Sequence, residues 1–330
     1  MRLSVVIPNY NYERFVAEAI ESALAIDWPD TEVVVVDDGS TDGSREIING
    51  YVPRITAVFQ ENAGPRVACN RGFAETSGDV VIFLDSDDVL APGIARSIAG
   101  VWREGISKVQ FQMRRIDAES RELDSVFPDF PADISAATIR SWMLATSAYP
   151  TPPGSGNAYA RRFLERLFPL DGSCGDATDS ATLAAAPLLG DVVTVREPLV
   201  KYRVHGNNRS YLLAEPGRFG SQIDRAVRRH RFALEVAGRT PDLRPLRRSR
   251  HLLQMRIAGR RVAPTGATMP GDSSWAMFVD TVRSPFAPGP EGASTRAKVA
   301  AWCLVTLVAP AAQARSLVER RFRQPQYRRN

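Results

Sequence analysis

Short runs of β-branched residues alternate, over the first hundred positions, with stretches whose apolar residues recur every three or four places. Residues 3–7, 32–36, 56–60 and 80–84 are rich in Val and Ile and bounded by turn formers, which predicts four strands. Between them, 13–25 places Phe15, Ala19, Ile20, Ala23 and Leu24 on one face of a helix, and 64–74 and 92–101 read as helices too, the last with Pro92 near its first turn. This β-α-β-α-β-α-β order calls for a parallel sheet covered on both faces. A further strand is expected at 108–116, where Val109, Phe111 and Met113 alternate with polar neighbours.

The pattern then breaks. Residues 128–156 hold five prolines and two glycines around a helix-like stretch at 135–146, the mark of a functional surface loop. Over 128–162 the aromatics and amide Trp142, Tyr149, Asn157 and Tyr159 are expected to contact a bound substrate. A helix at 180–188, a strand at 192–195 and a turn at Glu197-Pro198 follow. Beyond about residue 210 the composition shifts to Arg and Ala with helical spacing, so a boundary is placed near 215. An irregular segment is expected over 264–292 before a final helix.

The chain of 330 residues is 44% hydrophobic, enough for a full core in one large domain with an appendage. Charge sharpens that division. Residues 201–330 hold 25 Lys and Arg against 8 Asp and Glu, a balance of +17, while residues 1–200 hold 17 against 29, a balance of −12. An acidic half suits a metal-dependent site, and a basic half suits anionic lipid or a solvated Arg-rich surface. Three widely spaced cysteines without a ligand pattern point to a reducing compartment and away from structural zinc. The apolar start is too short for a signal peptide, so a cytoplasmic protein is expected. The most apolar stretch, 299–312, falls short of the ~20 residues that span a bilayer and is broken by Pro310; with Arg and Lys on both sides it suits the inner face of an anionic membrane, or packing within the fold.

Acidic and amide residues collect where strands end, which is where open parallel sheets bind ligands. Asp85-Ser86-Asp87-Asp88 sets three carboxylates on four residues after an apolar strand. Their repulsion calls for a divalent cation, Mg²⁺ or Mn²⁺, that also takes phosphate oxygens; a capped helix start is the plainer alternative. Asp37-Asp38-Gly39-Ser40 offers carboxylates to a base N–H or ribose hydroxyls, though Asp-Gly is also a common turn.

Taken in order, Ser4-Val5-Val6-Ile7-Pro8-Asn9-Tyr10-Asn11, Val36-Asp37-Asp38-Gly39-Ser40-Thr41-Asp42, Asn62-Ala63-Gly64, Ala68-Cys69-Asn70-Arg71-Gly72 and Phe83-Leu84-Asp85-Ser86-Asp87-Asp88 resemble the family-2 glycosyltransferases over residues 3 to about 210. The resemblance implies an α/β, GT-A type nucleotide-diphospho-sugar transferase fold, Rossmann-like, with a mixed, mostly parallel sheet over 1–215 and a helical, Arg-rich extension over 216–330. It implies that Asp38 reads the base of the donor, that Pro8 and Tyr10 wall its pocket, and that Asp85 contacts the ribose, with Asn62, Arg71 and Ser86 in the donor-binding set. Asp87 would hold the metal, with Asp88 its competitor. Cys69 stands where many relatives have Arg, a place Arg66 or Arg71 would fill.

The family reaction needs a base near the acceptor hydroxyl. Asp176, in Gly175-Asp176-Ala177-Thr178-Asp179, lies where relatives carry that carboxylate; Asp179 is the alternative, and capping of the next helix the structural one. Tyr202-Arg203-Val204-His205 resembles the segment that ends many such domains, and His205, one of three histidines, is expected at the metal or diphosphate. The implied function is inverting transfer from a nucleotide-diphospho-sugar, UDP-linked by family frequency, to a saccharide or lipid-linked acceptor, with no nucleic acid partner. A nucleotidyltransferase would open with a Gly-rich phosphate loop, which Pro8-Asn9-Tyr10-Asn11 does not supply. A silent nucleotide-sugar binding module would not need both Asp87 and Asp176.

Overall fold

Strands with both faces covered can be apolar throughout, and the Val-rich runs of this chain fold that way, with amphipathic helices laid against them. The computed structural model describes residues 1–175, 178–205, 218–262 and 269–322. In chain order come β1 (Leu3–Asn9), α1 (Val16–Leu24), β2 (Thr31–Asp38), α2 (Ser44–Asn49), β3 (Thr56–Gln60), α3 (Pro65–Ala74), β4 (Val80–Phe83), β5 (Val89–Leu90) and α4 (Ile94–Val101). Then follow β6 (Ile106–Ile116), β7 (Glu122–Phe127), α5 (Ala136–Thr146), β8 (Asn157–Ala160), α6 (Arg161–Leu164), α7 (Thr178–Leu189) and β9 (Asp191–Arg203). The rest is helical among the described residues: α8 (Arg218–Val236), α9 (Arg244–Arg248), α10 (Arg250–Val262), α11 (Ser274–Arg283), α12 (Ala293–Val308) and α13 (Ala311–Phe322).

The strands form a nine-stranded sheet in the order β3-β2-β1-β4-β8-β6-β9-β5, with β7 paired to β6. β1 runs parallel to β2 and β4, β2 to β3, and β6 to β9, whereas β8 is antiparallel to both β4 and β6. The sheet is therefore mixed and mostly parallel. One face buries Val5, Ile7, Val33, Val35 and Ile82 under Val16, Ala19, Ile20 and Ala23 of α1 and Ile94 and Ile98 of α4. The other packs Val34 and Val36 under Ala68 of α3. A Cβ on Gly72 would stand 2.3 Å from Val6 Cγ1, so α3 lies as close to β1 as it does because position 72 has no side chain.

Four expectations need correction. The 128–156 stretch holds α5 where a helix was expected, but it then leads into the unexpected strand β8, whose Asn157 and Tyr159 are buried in the sheet instead of facing a substrate. Asn157 spends its amide on the carbonyls of Pro152, Pro153 and Gly154, and the Tyr159 hydroxyl bonds Thr182 at 3.1 Å. The Glu197-Pro198 turn is a bulge inside β9. Opposite β6, Val195 faces Phe111 and Pro198 faces Gln112, so Arg196 and Glu197 are the extra residues, and a proline missing its N–H is tolerated there. The 264–292 segment contains α11, capped by Ser273, whose hydroxyl accepts from the Ala276 amide at 3.0 Å. Finally, two helices close the described chain instead of one, divided at Pro310.

Two compact units result. The first is built from Met1–Arg140, Pro150–His205 and Phe232–Arg239; the second from Ser141–Tyr149 and the described parts of Gly206–Arg231 and Thr240–Asn330. Within the second, Leu253 and Ile257 of α10 meet Met277, Val299 and Cys303 in one core. Its arginines are not all on the surface. The Arg256 side chain is buried against Asp272 and Asp280, and Arg250 donates to the carbonyls of Ser284 and Ala287. A guanidinium with five fixed donors can satisfy several orphan carbonyls at once, which fits Arg to this role.

Candidate active site

The loops that leave the carboxyl ends of β1, β2 and β4 are knitted to one another by short polar side chains. Asn9 donates to Asp37 Oδ1 at 3.1 Å and to Ser40 Oγ at 3.2 Å, and the Thr41 amide donates to Asn11 Oδ1 at 2.7 Å. Asp37 also accepts from the Ser40 amide and from Arg45, so the first acid of the pair is a buried structural anchor. Gly39 sits at φ +77°, and a Cβ there would stand 2.6 Å from the Asn62 amide nitrogen, so this turn and the 60–64 loop meet only through a glycine.

Asp38 fixes that loop. Its Oδ1 accepts from Gln60 at 2.7 Å and the Ala63 amide at 2.9 Å, and its Oδ2 accepts from the Gly64 amide at 2.8 Å. Beside it a cleft of about 470 Å³ is lined by Gly39, Ser40, Arg45, Phe59, Gln60, Glu61 and Asn62. Asn62 is exposed on the cleft, Pro8 is half-buried and Tyr10 is 42% exposed. The Arg45 guanidinium lies 5.1 Å from the Phe59 ring centre.

At the end of β4, Ser86 is buried and donates to the Pro8 carbonyl at 3.1 Å, tying the third loop to the first. The Asp85 amide donates to Ser155 Oγ at 3.0 Å, and Gly154 lets the chain pass beside the exposed Asp85 carboxylate. One carboxylate oxygen from each of Asp85, Asp87 and Asp88 falls within 4.8 Å of the other two. Asp87 Oδ2 lies 2.8 Å from His205 Nε2, and the His205 ring packs against Tyr12 and Phe15.

Asp88 is the strained member. Its Oδ1 accepts from the Arg203 amide at 3.0 Å, but its Oδ2 is buried and accepts no hydrogen bond of normal geometry, the Ser155 hydroxyl being its nearby polar neighbour. Burial, reinforced by the charges of Asp87 and Asp85, raises the Asp88 carboxyl well above the usual range, despite the opposing effects of Ser155 and the Arg203 amide. A cation of two charges would relieve that cost, and hard oxygen donors with one imidazole are a ligand chemistry that Mg²⁺ or Mn²⁺ accepts. The residues present fit such an ion.

Arg203 was not singled out by sequence reasoning. Its buried guanidinium donates to the carbonyls of Asp87 and Asp117, to Ser120 and to Glu18, so one side chain braces the acidic turn from behind. Its place at the end of β9, two residues before His205, was the available signal. Arg71 lies on the exposed side of α3 in an ion pair with Glu75 at 2.9 Å, while Arg66 donates to the Leu170 carbonyl at 2.7 Å. Asp179 opens α7 and Asp176 lies outside the described residues.

The model of the family described as glycosyl transferase family 2 matches residues 4–143. An uncharacterized glycosyltransferase of Nostoc sp. is 36% identical over 217 residues, 63% of this chain and 66% of that protein. The matched segment is that of a family-2 glycosyltransferase. An uncharacterized glycosyltransferase of Rickettsia bellii is 30% identical over 218 residues, 64% of this chain but 30% of its own length, so the chain spans less than two thirds of these relatives. Among solved structures, Staphylococcus aureus TarS 1–349 in complex with UDP-GlcNAc superimposes with a TM-score of 0.58 at 17% identity, covering 100% of this chain and 93% of that one. A mannosyltransferase from Pyrobaculum calidifontis in complex with GDP-Man and Mn²⁺ gives 0.52 at 19% identity, covering 96% and 84%. The fold is accordingly of the GT-A type, with a helical region after the sheet.

Proposed function

We propose that the protein is an inverting glycosyltransferase that moves a sugar from a nucleotide-diphospho-sugar, UDP-linked, to a hydroxyl of a saccharide or lipid-linked acceptor. The observation that carries this reading is the buried Oδ2 of Asp88, which accepts no hydrogen bond of normal geometry, beside Asp85, Asp87 and His205, next to a cleft edged by the Asp38 turn. Residues 1–215 form the catalytic domain and 216–330 the helical extension. The protein is cytoplasmic, and its basic half makes peripheral contact with an anionic membrane.

In this mechanism Asp38 and Asn62 present the base-binding side of the cleft, with Pro8 and Tyr10 as its wall. Asp85 takes the ribose, and Ser86 and Arg71 belong to the same donor set, Ser86 by fixing the Pro8 loop. Asp87, Asp88 and His205 would hold Mn²⁺ or Mg²⁺, and such an ion would supply charge neutralisation for the departing diphosphate. Asp176 takes the proton of the acceptor hydroxyl as its oxygen bonds to the anomeric carbon and the bond to the diphosphate oxygen breaks. One displacement inverts that carbon.

A screen of nucleotide sugars for thermal stabilisation, with Mn²⁺, Mg²⁺ or EDTA, tests the reading, because a ligand that binds the folded state raises its apparent stability. Metal-dependent stabilisation by nucleoside diphosphates, followed by turnover with an acceptor, is the expected result. Stabilisation by no nucleotide sugar, or turnover that survives EDTA unchanged, would overturn it.

A further inference from the structure

Helices α11 and α12 are apolar on two sides, yet each spends only one side on the core. In α11, Met277 and Thr281 are buried, while Trp275 is 72% exposed and Val282 53%, and Phe286 just past the helix is 85% exposed. In α12, Val299, Cys303 and Thr306 are buried, while Leu304, Val305 and Val308 are in solvent, Val308 at 72%. At 100° per residue the outward residues of each helix stand opposite its buried ones. The two helices pack on each other, and the rings of Trp275 and Phe278 stack at 5.6 Å. Exposed aromatics and branched aliphatics on neighbouring helices are costly to leave in water, and such patches mark interaction surfaces.

Charge identifies the partner. Residues 274–322 carry Arg283, Arg296, Lys298, Arg315, Arg320 and Arg321 against Asp280, Glu291 and Glu319. Asp280 is paired with Arg247 and Arg256, and Glu291 with Arg250, so two of these three acids are already neutralised inside the unit. Arg283, Lys298, Arg315 and Arg320 remain exposed. A second copy of the chain would set like charge against like charge, whereas an anionic lipid surface supplies both counter-charge and an apolar layer. No described helix is long and apolar enough to cross a membrane.

We propose that the outward faces of α11, the turn that follows it and α12 form a docking surface for an anionic membrane, with Trp275, Phe286 and Val308 entering the headgroup boundary and the exposed cations of the same helices, Arg283 and Lys298, meeting the headgroups. It deepens the membrane-contact part of the reading above and is independent of sugar transfer.

The test is co-sedimentation of the full chain, without donor or metal, with vesicles of phosphatidylcholine alone or mixed with phosphatidylglycerol. The protein should pellet with the anionic vesicles, less so at high salt, and stay in solution with the neutral ones. In the double variant Trp275→Glu, Phe286→Glu, vesicle binding should fall about ten-fold or more, since both apolar anchors are lost and two negative charges face the headgroups. Its melting temperature should stay within a few degrees of the wild type, because both side chains are mostly in solvent and only the Trp275–Phe278 stacking is lost. Wild-type binding by the double variant, or no binding by the wild type, overturns the proposal. A dimer in sedimentation velocity that the double variant dissociates, with no vesicle binding, assigns the face to a second copy instead. Because no turnover is read, failure of the transferase reading leaves this result standing.

Discussion

Asp87 and His205 lie 118 residues apart in the chain and meet at 2.8 Å, Oδ2 to Nε2, where the end of β9 returns to the end of β4. The contact is made because β9 pairs with β5 immediately after the acidic turn, setting Lys201 opposite Val89. An imidazole so placed either ligates a cation itself or orients the carboxylate that does.

His205→Ala should therefore weaken Mn²⁺-dependent binding of a nucleoside diphosphate by about 10–100-fold. Calorimetric titration with and without EDTA reads it. Asp87→Ala should remove the metal dependence altogether while the protein still melts cooperatively. Wild-type metal affinity in the His205 variant would place the ion away from this pair.

Asp88 makes a prediction about stability. Its folded-state pKa is raised, chiefly by burial, so the fold favours the protonated form. In metal-free protein that contribution is complete below the ordinary carboxylate range and is lost as pH rises through the folded value. Asp88→Asn keeps an acceptor for the Arg203 amide and removes the charge. It should stabilise the metal-free protein at neutral pH by ~1–3 kcal/mol, the scale of an unsatisfied buried polar group, and reduce the gain from Mn²⁺. Urea denaturation at two pH values measures both. A variant less stable than wild type without metal would show that the carboxylate is satisfied.

Much of the sheet and its acidic loops could be read from residue types, because β-branched runs and Asp-rich turns carry local signals. The expected strand at 56–60 and β3 coincide, and the helix expected at 64–74 differs from α3 by one residue. What escaped was set by partners distant in sequence. β8 is four residues, Asn157–Ala160, with no apolar alternation, and it is a strand because β4 and β6 flank it. Tyr159 and Asn157 looked like acceptor contacts for the same reason: their burial comes from those neighbours and not from their own segment. Arg203 reads as a basic residue near a histidine, and only the fold brings Glu18, Asp117 and Ser120 around it.

Asp38 has an internal role beside its proposed contact with the base. Its carboxylate holds Gln60 and the amides of Ala63 and Gly64. Asp38→Asn turns one acceptor oxygen into a donor facing a donor, which should cost ~1–3 kcal/mol of stability. If Asp38 also reads the base, the variant should weaken binding of the preferred nucleotide more than that of a competing base. Equal weakening of all nucleotides, alongside the lost stability, would assign Asp38 to holding the loop alone.

The assignment of Asp176 as base decides whether the acceptor is activated from the segment before α7. A positioned base contributes about 10²–10⁴-fold to rate, so Asp176→Asn should lower kcat by about that factor and leave donor and metal affinity nearly unchanged. Asp179 stands in the first turn of α7, where a carboxylate favours the helix through its dipole, so Asp179→Asn should cost at most ~1 kcal/mol in stability and little in rate. The reverse pattern would move the base three residues along and leave the donor site untouched. If both variants kept kcat within a few-fold of wild type, the proton would have to leave by a route that this segment does not provide. The anomeric configuration of the product, read by NMR, is an independent check that needs no mutant. A single in-line attack inverts the anomeric carbon, and a retained configuration would refute the mechanism even if Asp176→Asn were inactive, because retention requires a second displacement or a different approach to that carbon.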